Sequence, residues 1–129
     1  MDIITLDIES YYSQEYSLTK LTTEQYVRDP RFETILVGLA LNNEKPTWFS
    51  GDDKSVRSYL HERISPDSVL IAHNAAFDAA ILSWRYDVRP GLIMDTVSMG
   101  RALVGEQSGA SLAKLAGFFG FGQKGTEVL

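Results

Sequence analysis

Ile3-Ile4-Thr5-Leu6-Asp7-Ile8-Glu9-Ser10 reads as a β-strand that ends by setting two carboxylates side by side. Side chains on a strand alternate between faces, so Asp7 and Glu9 share one face while Leu6 and Ile8 point into the core. Two like charges held together repel. A fold tolerates such a pair most readily when a cation lies between them. The other reading of any Asp-x-Glu is a pair of solvated surface acids. The apolar strand leading up to this pair argues instead for a sheet edge or a pocket mouth.

Outward from that strand, residues 11–21 form a polar loop carrying Tyr11, Tyr12 and Tyr16. These rings could stack on the bases of a single strand or pack on their own domain. Thr22-Thr23-Glu24-Gln25 has capping-box spacing, which predicts a short helix that Asp29-Pro30 stops. Glu33 to Leu41 is a second strand, Asn42-Asn43 a turn, and Thr47-Trp48-Phe49 resumes an extended run, which together predict an antiparallel hairpin. Val56, Leu60 and Ile64 recur every four residues, as on one face of a helix from about Lys54.

Val69-Leu70-Ile71-Ala72 is wholly apolar, as expected of a strand covered on both faces. Asn74 is then expected to cap a helix from Ala75 to about Tyr86, with Phe77, Ile81 and either Leu82 or Trp84 inside. Leu92-Ile93-Met94 is a brief strand, and Asp95 is the N-cap of a helix from Thr96 to Val104. A loop from Gly105 to Gly109 leads to a last helix, opened by Ser111 and ending near Gly117. The order β, α, β, β, α, β, α, β, α, α describes an α/β or α+β domain with a mixed sheet flanked by helices.

The 129 residues suit one domain, and 44% hydrophobic with 22% charged residues is a globular mixture. Without cysteine there is no disulfide, thiolate metal site or thiol nucleophile. No apolar run approaches the ~20 residues of a membrane span, so no membrane partner is expected. A first strand starting at residue 2 or 3 leaves no room for a signal peptide. The net charge of -5 speaks against a general nucleic-acid binder, which carries a basic footprint. Divalent cations held by several acids would reverse that sign locally.

The second constellation is His73-Asn74-Ala75-Ala76-Phe77-Asp78, at a strand-to-helix junction. A carboxylate on a first helical turn is stabilised by the helix dipole, which would by itself explain Asp78. If Asp78 also faces Asp7 and Glu9, the three make an oxygen-rich site of the kind Mg²⁺ or Mn²⁺ prefers. Gly120-x-Gly122-x-x-Gly125 matches a dinucleotide fingerprint by letters, but it follows no strand and is discounted.

Asp7-x-Glu9 followed by Asn74-x-x-Phe77-Asp78 resembles the first two motifs of the DEDD, or DnaQ-like, 3′–5′ exonuclease superfamily. The segments Leu21 to Phe32, Trp48 to Gly51, Ala72 to Asp78 and Met94 to Met99 further resemble the N-terminal proofreading exonuclease region of bacteriophage-type family A DNA polymerases. The resemblance covers nearly the whole chain. It implies an RNase H-like fold and two-metal hydrolysis of the 3′-terminal nucleotide of a single DNA strand, with RNA as an alternative substrate. Asp7 would bridge two divalent ions, Glu9 would bind one and Asp78 the other. Asn74 and Phe77, with Tyr11 and Tyr12, would meet the substrate. The implied setting is the cytoplasm of a bacterial or phage-infected cell, with a polymerase domain following in the parent chain.

The superfamily's third motif, Tyr-x-x-x-Asp or His-x-x-x-x-Asp, is not found. The acids after Asp78 are Asp87, Asp95, Glu106 and Glu127, and none has the required partner four or five residues before it. The expectation is a domain incomplete at its C-terminus, weakly active or inactive as a nuclease, with an uncovered edge through which it self-associates. A free-standing exonuclease, or a binding module on the same fold, are the alternatives.

Overall fold

β1 (Ile3–Ser10) lies in the middle of a five-stranded sheet, and its residues alternate as the sequence requires. Ile4, Leu6 and Ile8 are buried, whereas Thr5, Asp7 and Glu9 are exposed. The computed structural model describes residues 1–105 and 109–122. Glu106, Glu127 and the last glycine of the discounted fingerprint, Gly125, lie outside the described residues, as does the middle of the 105–109 loop.

The remaining elements follow the expected order. α1 (Thr23–Arg28) opens with the capping box: the Thr22 hydroxyl accepts from the Gln25 N–H, and the Gln25 side chain accepts from the Thr22 N–H. β2 (Thr34–Leu41) and β3 (Thr47–Phe49) are antiparallel, with Gly38 opposite Trp48. α2 (Asp53–Arg63) buries Val56 and Leu60, and Ile64 at its C-terminal end is buried too. β4 (Val69–Ala72) runs between β1 and β5 (Leu92–Asp95), parallel to both. The sheet order β3-β2-β1-β4-β5 is therefore mixed, with only β2 opposing its neighbours. One core joins Ile4, Leu6 and Ile8 of β1 to Val37, Leu39, Val56, Leu60 and Leu70 from the surrounding elements.

The helix after β4 departs from expectation. α3 (Ala75–Ala80) passes into a π turn over Ile81–Arg85 rather than continuing as a regular α-helix. The wider turn brings adjacent Ile81 and Leu82 both inside and leaves Trp84 at the surface. There the Arg28 guanidinium lies 5.2 Å from the Trp84 ring centre. α4 (Thr96–Val104) starts at the predicted Asp95 cap. α5 (Leu112–Phe119) starts at the Ser111 cap but runs two residues past Gly117, ending at Gly120 in the left-handed conformation that glycine favours.

Candidate metal and nucleic-acid site

β1 and β4 are parallel with Thr5 opposite Ile71, so the chain leaves β4 alongside Asp7. It then turns into α3, whose first turn places Asp78 over β1. Asp78 is only 4% exposed, and its Oδ1 accepts the Ile8 N–H at 3.0 Å. Ile8 sits between Asp7 and Glu9, so Asp78 is fastened to the stretch of β1 that carries the other two carboxylates.

Their coupling is visible in the proton affinity of Asp78. Burial pushes its carboxyl up from 3.8 to about 7. The Ile8 N–H bond pulls the other way, and the charges of Asp7 and Glu9 add to the rise. Asp78 is drawn onto the strand backbone while Asp7 and Glu9 stay on the exposed face. Among the described residues, no group of three or more His, Asp or Glu stands close enough together to hold a metal ion as it lies. The donor chemistry nonetheless fits a hard divalent cation. All the donors are oxygens, and a buried carboxylate that resists ionisation gains most from a positive neighbour.

An open cleft of about 560 Å³ lies over this end of the sheet, lined by Thr5, Asp7, Glu9, His73, Thr96 and Leu112 among others. A second hollow of about 290 Å³ lies on the other side of Glu9. Its walls include Tyr12, Leu18, Tyr26 and Phe77. Glu9 thus borders both spaces. Phe77 is half-buried, with its ring 5.8 Å from that of Tyr26, so it anchors the turn and still faces the hollow.

The three loop tyrosines separate. Tyr12 is exposed and Tyr11 partly so. Tyr16 is fully buried, stacked on Tyr26 at 4.5 Å, with its hydroxyl donating to the Tyr26 carbonyl. Burial raises its hydroxyl to about 12. Tyr16 is thereby removed from the candidates for base stacking and becomes the anchor of the 11–21 loop.

Asn74 is also corrected. It adopts the left-handed conformation, φ 62° and ψ 55°, and its side chain makes no capping bond to α3. Its N–H donates instead to Asp95 Oδ1 at 2.9 Å. The same oxygen accepts from Val97 and caps α4, as the sequence implied. Asp87 lies at φ 53° and pairs with Arg89 at the surface, so neither acid is placed as a further ligand. His73 lies ahead of any position where a third motif would fall, and the motif resemblance gives it no role. It lines the cleft, with Nδ1 2.8 Å from Thr96 Oγ1. Its place directly after β4, level with Asp7, was the signal that could have found it.

No protein-family model and no curated protein matches the chain. Solved structures do match. NrnC of Brucella melitensis bound to pGG aligns over 97% of this chain and 55% of its own, at 14% identity and a TM-score of 0.63. NrnC with bound Mg²⁺ aligns over 98% of this chain and 60% of its own, at 15% identity and a TM-score of 0.60. A chain in the structure of the yeast NOT1 MIF4G domain co-crystallized with CAF1 aligns at 12% identity and a TM-score of 0.65, over 98% of this chain and 71% of that one. A family B DNA polymerase from the archaeon Pyrobaculum calidifontis aligns at 18% identity and 0.55, over 95% of this chain and 18% of that one. The fold is RNase H-like. This chain spans 55% to 60% of the length of these two NrnC chains. The likeness gives a nuclease-type fold and does not single out the phage family A polymerases.

Proposed function

We propose that the chain is a metal-dependent 3′–5′ exonuclease domain acting on the end of a single strand. The observation that carries this reading is Asp78 seated on the Ile8 N–H between Asp7 and Glu9. Asp7, Glu9 and Asp78 would hold two divalent ions, Mg²⁺ or Mn²⁺. Bound there, such ions supply the charge that makes a water nucleophilic and steadies a leaving oxygen. The chain's own contribution is placement. β1 carries Asp7 and Glu9, and α3 holds Asp78 on the β1 backbone at Ile8, between them in sequence. The hollow walled by Tyr12 and Phe77 beside Glu9 would receive the terminal base, with Tyr11 stacking further along and the Asn74 carboxamide touching the backbone.

Two settings suit this activity: the proofreading region of a DNA polymerase, as in phage-type enzymes, or a free-standing exonuclease on DNA or RNA. The bound pGG and bound Mg²⁺ of the NrnC structures support nucleic acid and a divalent ion as the ligands in either setting. The cytoplasm of a bacterial or phage-infected cell is the compartment in both. Among the described residues no helix is long and apolar enough to cross a membrane.

The test uses single strands of DNA and RNA, linear with a 5′ label or circular with an internal label, with and without Mg²⁺ or Mn²⁺. Linear strands should bind more tightly than circles, only with metal, and lose their 3′ nucleotides slowly. Asp7→Ala should remove both effects. Equal binding of circles and linear strands, or indifference to metal, would overturn the reading. Removal of nucleotides from RNA would then favour the free-standing setting.

A further inference from the structure

We infer that Asp95 is a positioning residue, which with Thr96 fixes the junction between β4 and α3 so that the Asn74 carboxamide is available to nucleic acid. The inference rests on the nuclease reading above and extends it to a residue outside the carboxylate cluster.

Three consecutive residues of the junction are held by this one dipeptide. Asp95 Oδ1 accepts the Asn74 N–H at 2.9 Å. Thr96 Oγ1 lies 2.8 Å from His73 Nδ1 and 3.4 Å from the Ala72 carbonyl oxygen, to which it donates. A helix cap needs only the other bond of Asp95, to the Val97 N–H. The bond to Asn74 crosses from one strand end to its neighbour, 21 residues away in sequence.

Asn74 explains why that extra bond matters. Asparagine tolerates the left-handed region better than most residues, and a bond from outside selects that conformation among those open to it. An asparagine opening a helix ordinarily spends its side-chain oxygen on the helix's own N–H groups. Here it does not, and Asn74 is exposed. Asp95 holds the Asn74 backbone from outside, in a left-handed conformation, and the Asn74 side chain takes no part in capping α3. The same junction carries His73 on the cleft wall and leads into the turn bearing Asp78. Asp78 itself is located by Ile8, so loosening the junction should disturb substrate contacts more than the carboxylates.

Three variants of the full chain separate these roles. Asp95→Asn keeps a side-chain oxygen of the same reach. Asp95→Ser keeps a capping hydroxyl for Val97 but is too short to bridge to Asn74. Thr96→Val removes the hydroxyl that meets His73. With Ca²⁺ in place of Mg²⁺ to suppress cleavage, the affinity for a labelled single-stranded DNA oligonucleotide with a free 3′ end should fall about tenfold in Asp95→Ser, the upper end expected for one lost hydrogen bond. It should stay within about twofold of wild type in Asp95→Asn. Thr96→Val should lose affinity in the same direction as Asp95→Ser. The rise in melting temperature on adding Mg²⁺ should be the same in wild type and in all three variants. Amide exchange should show Asn74 losing protection in Asp95→Ser while Val97 keeps it.

Undiminished oligonucleotide binding by Asp95→Ser would overturn the positioning role. So would an Asn74 amide that exchanges as fast in wild type as in Asp95→Ser, whether or not the oligonucleotide binds. If the wild-type chain binds no oligonucleotide while its Asn74 amide is protected, the nuclease reading fails and the substrate part of this inference fails with it. The protected amide would then mark Asp95 as a purely structural clamp.

Discussion

Asp78 is held where its charge is costly. Its carboxyl is raised from 3.8 to about 7, first by burial and further by Asp7 and Glu9. A carboxyl raised by folding leaves stability intact below the unfolded value and removes it as pH climbs towards the folded value. The metal-free protein should therefore weaken between about pH 4 and pH 7, by up to ~4 kcal/mol for a shift of this size. Asp78→Asn keeps an oxygen for the Ile8 N–H and sheds the charge. It should melt higher than wild type at pH 8 without divalent ions, with the advantage shrinking at pH 5. Wild type should in turn be stabilised by Mg²⁺ and Asp78→Asn much less so. Thermal melts at the two pH values, with EDTA or Mg²⁺, check all of this. A variant that melts lower than wild type at pH 8 in EDTA would show that Asp78 is not under electrostatic stress.

At the level of elements, the piece that carries Asp78 is fastened at both ends. Asp95 and Thr96 hold its start. At its far end, α2 reaches the carbonyls that close the π turn: Arg57 donates to Arg85 and Tyr86, and His61 Nε2 lies 2.8 Å from the Tyr86 oxygen. The Tyr86 hydroxyl meets both Thr34 and Asp53, which ties the same corner to β2 and α2. Arg57→Ala should cost about 1 kcal/mol in urea unfolding, since it leaves the partly buried Tyr86 carbonyl with one partner fewer. It should also speed amide exchange at Val88, whose N–H bonds to the Leu82 carbonyl across the π turn. These attachments show which elements the sequence revealed. α1 and α4 were readable because their signals are local: a capping box at Thr22 and a cap at Asp95. The π turn and the left-handed Asn74 were not, because both are set by bonds from segments more than twenty residues away. Tyr16 was hidden too, since its burial depends on packing against the ring of Tyr26 in α1, which the sequence pattern of the loop does not show.

Across the whole molecule, charge and apolar surface are unevenly spread. The three acids of the proposed site are picked out by their resemblance to two motifs, and alternation puts Asp7 and Glu9 on one face of β1. Their distance from Asp78 could not be read, because it depends on how α3 crosses β1. The apolar surface was also only partly foreseen, as an uncovered edge. It is the outer side of α4 and α5 with the residues just after: Leu103 is 69% exposed, Phe118 63% and Phe121 82%. Alongside them, Met99, Leu103, Leu112 and Phe119 line a shallow apolar hollow of about 380 Å³. Aromatic and aliphatic side chains grouped at this density are uncommon on a protein that stays monomeric. A net charge of -5 opposes association only weakly at physiological ionic strength. Light scattering should therefore give a mass near 14.4 kDa in dilute solution and a rising mean mass as concentration increases. Added salt should strengthen the effect, because it screens repulsion between acidic copies and leaves apolar contact intact, whereas an association built on ion pairs would weaken. Leu103→Lys combined with Phe118→Lys should hold the protein at the monomer mass without lowering its melting temperature, since both side chains face solvent. A wild-type chain that stays strictly monomeric at high concentration and high salt would show that this face is not sticky enough to pair.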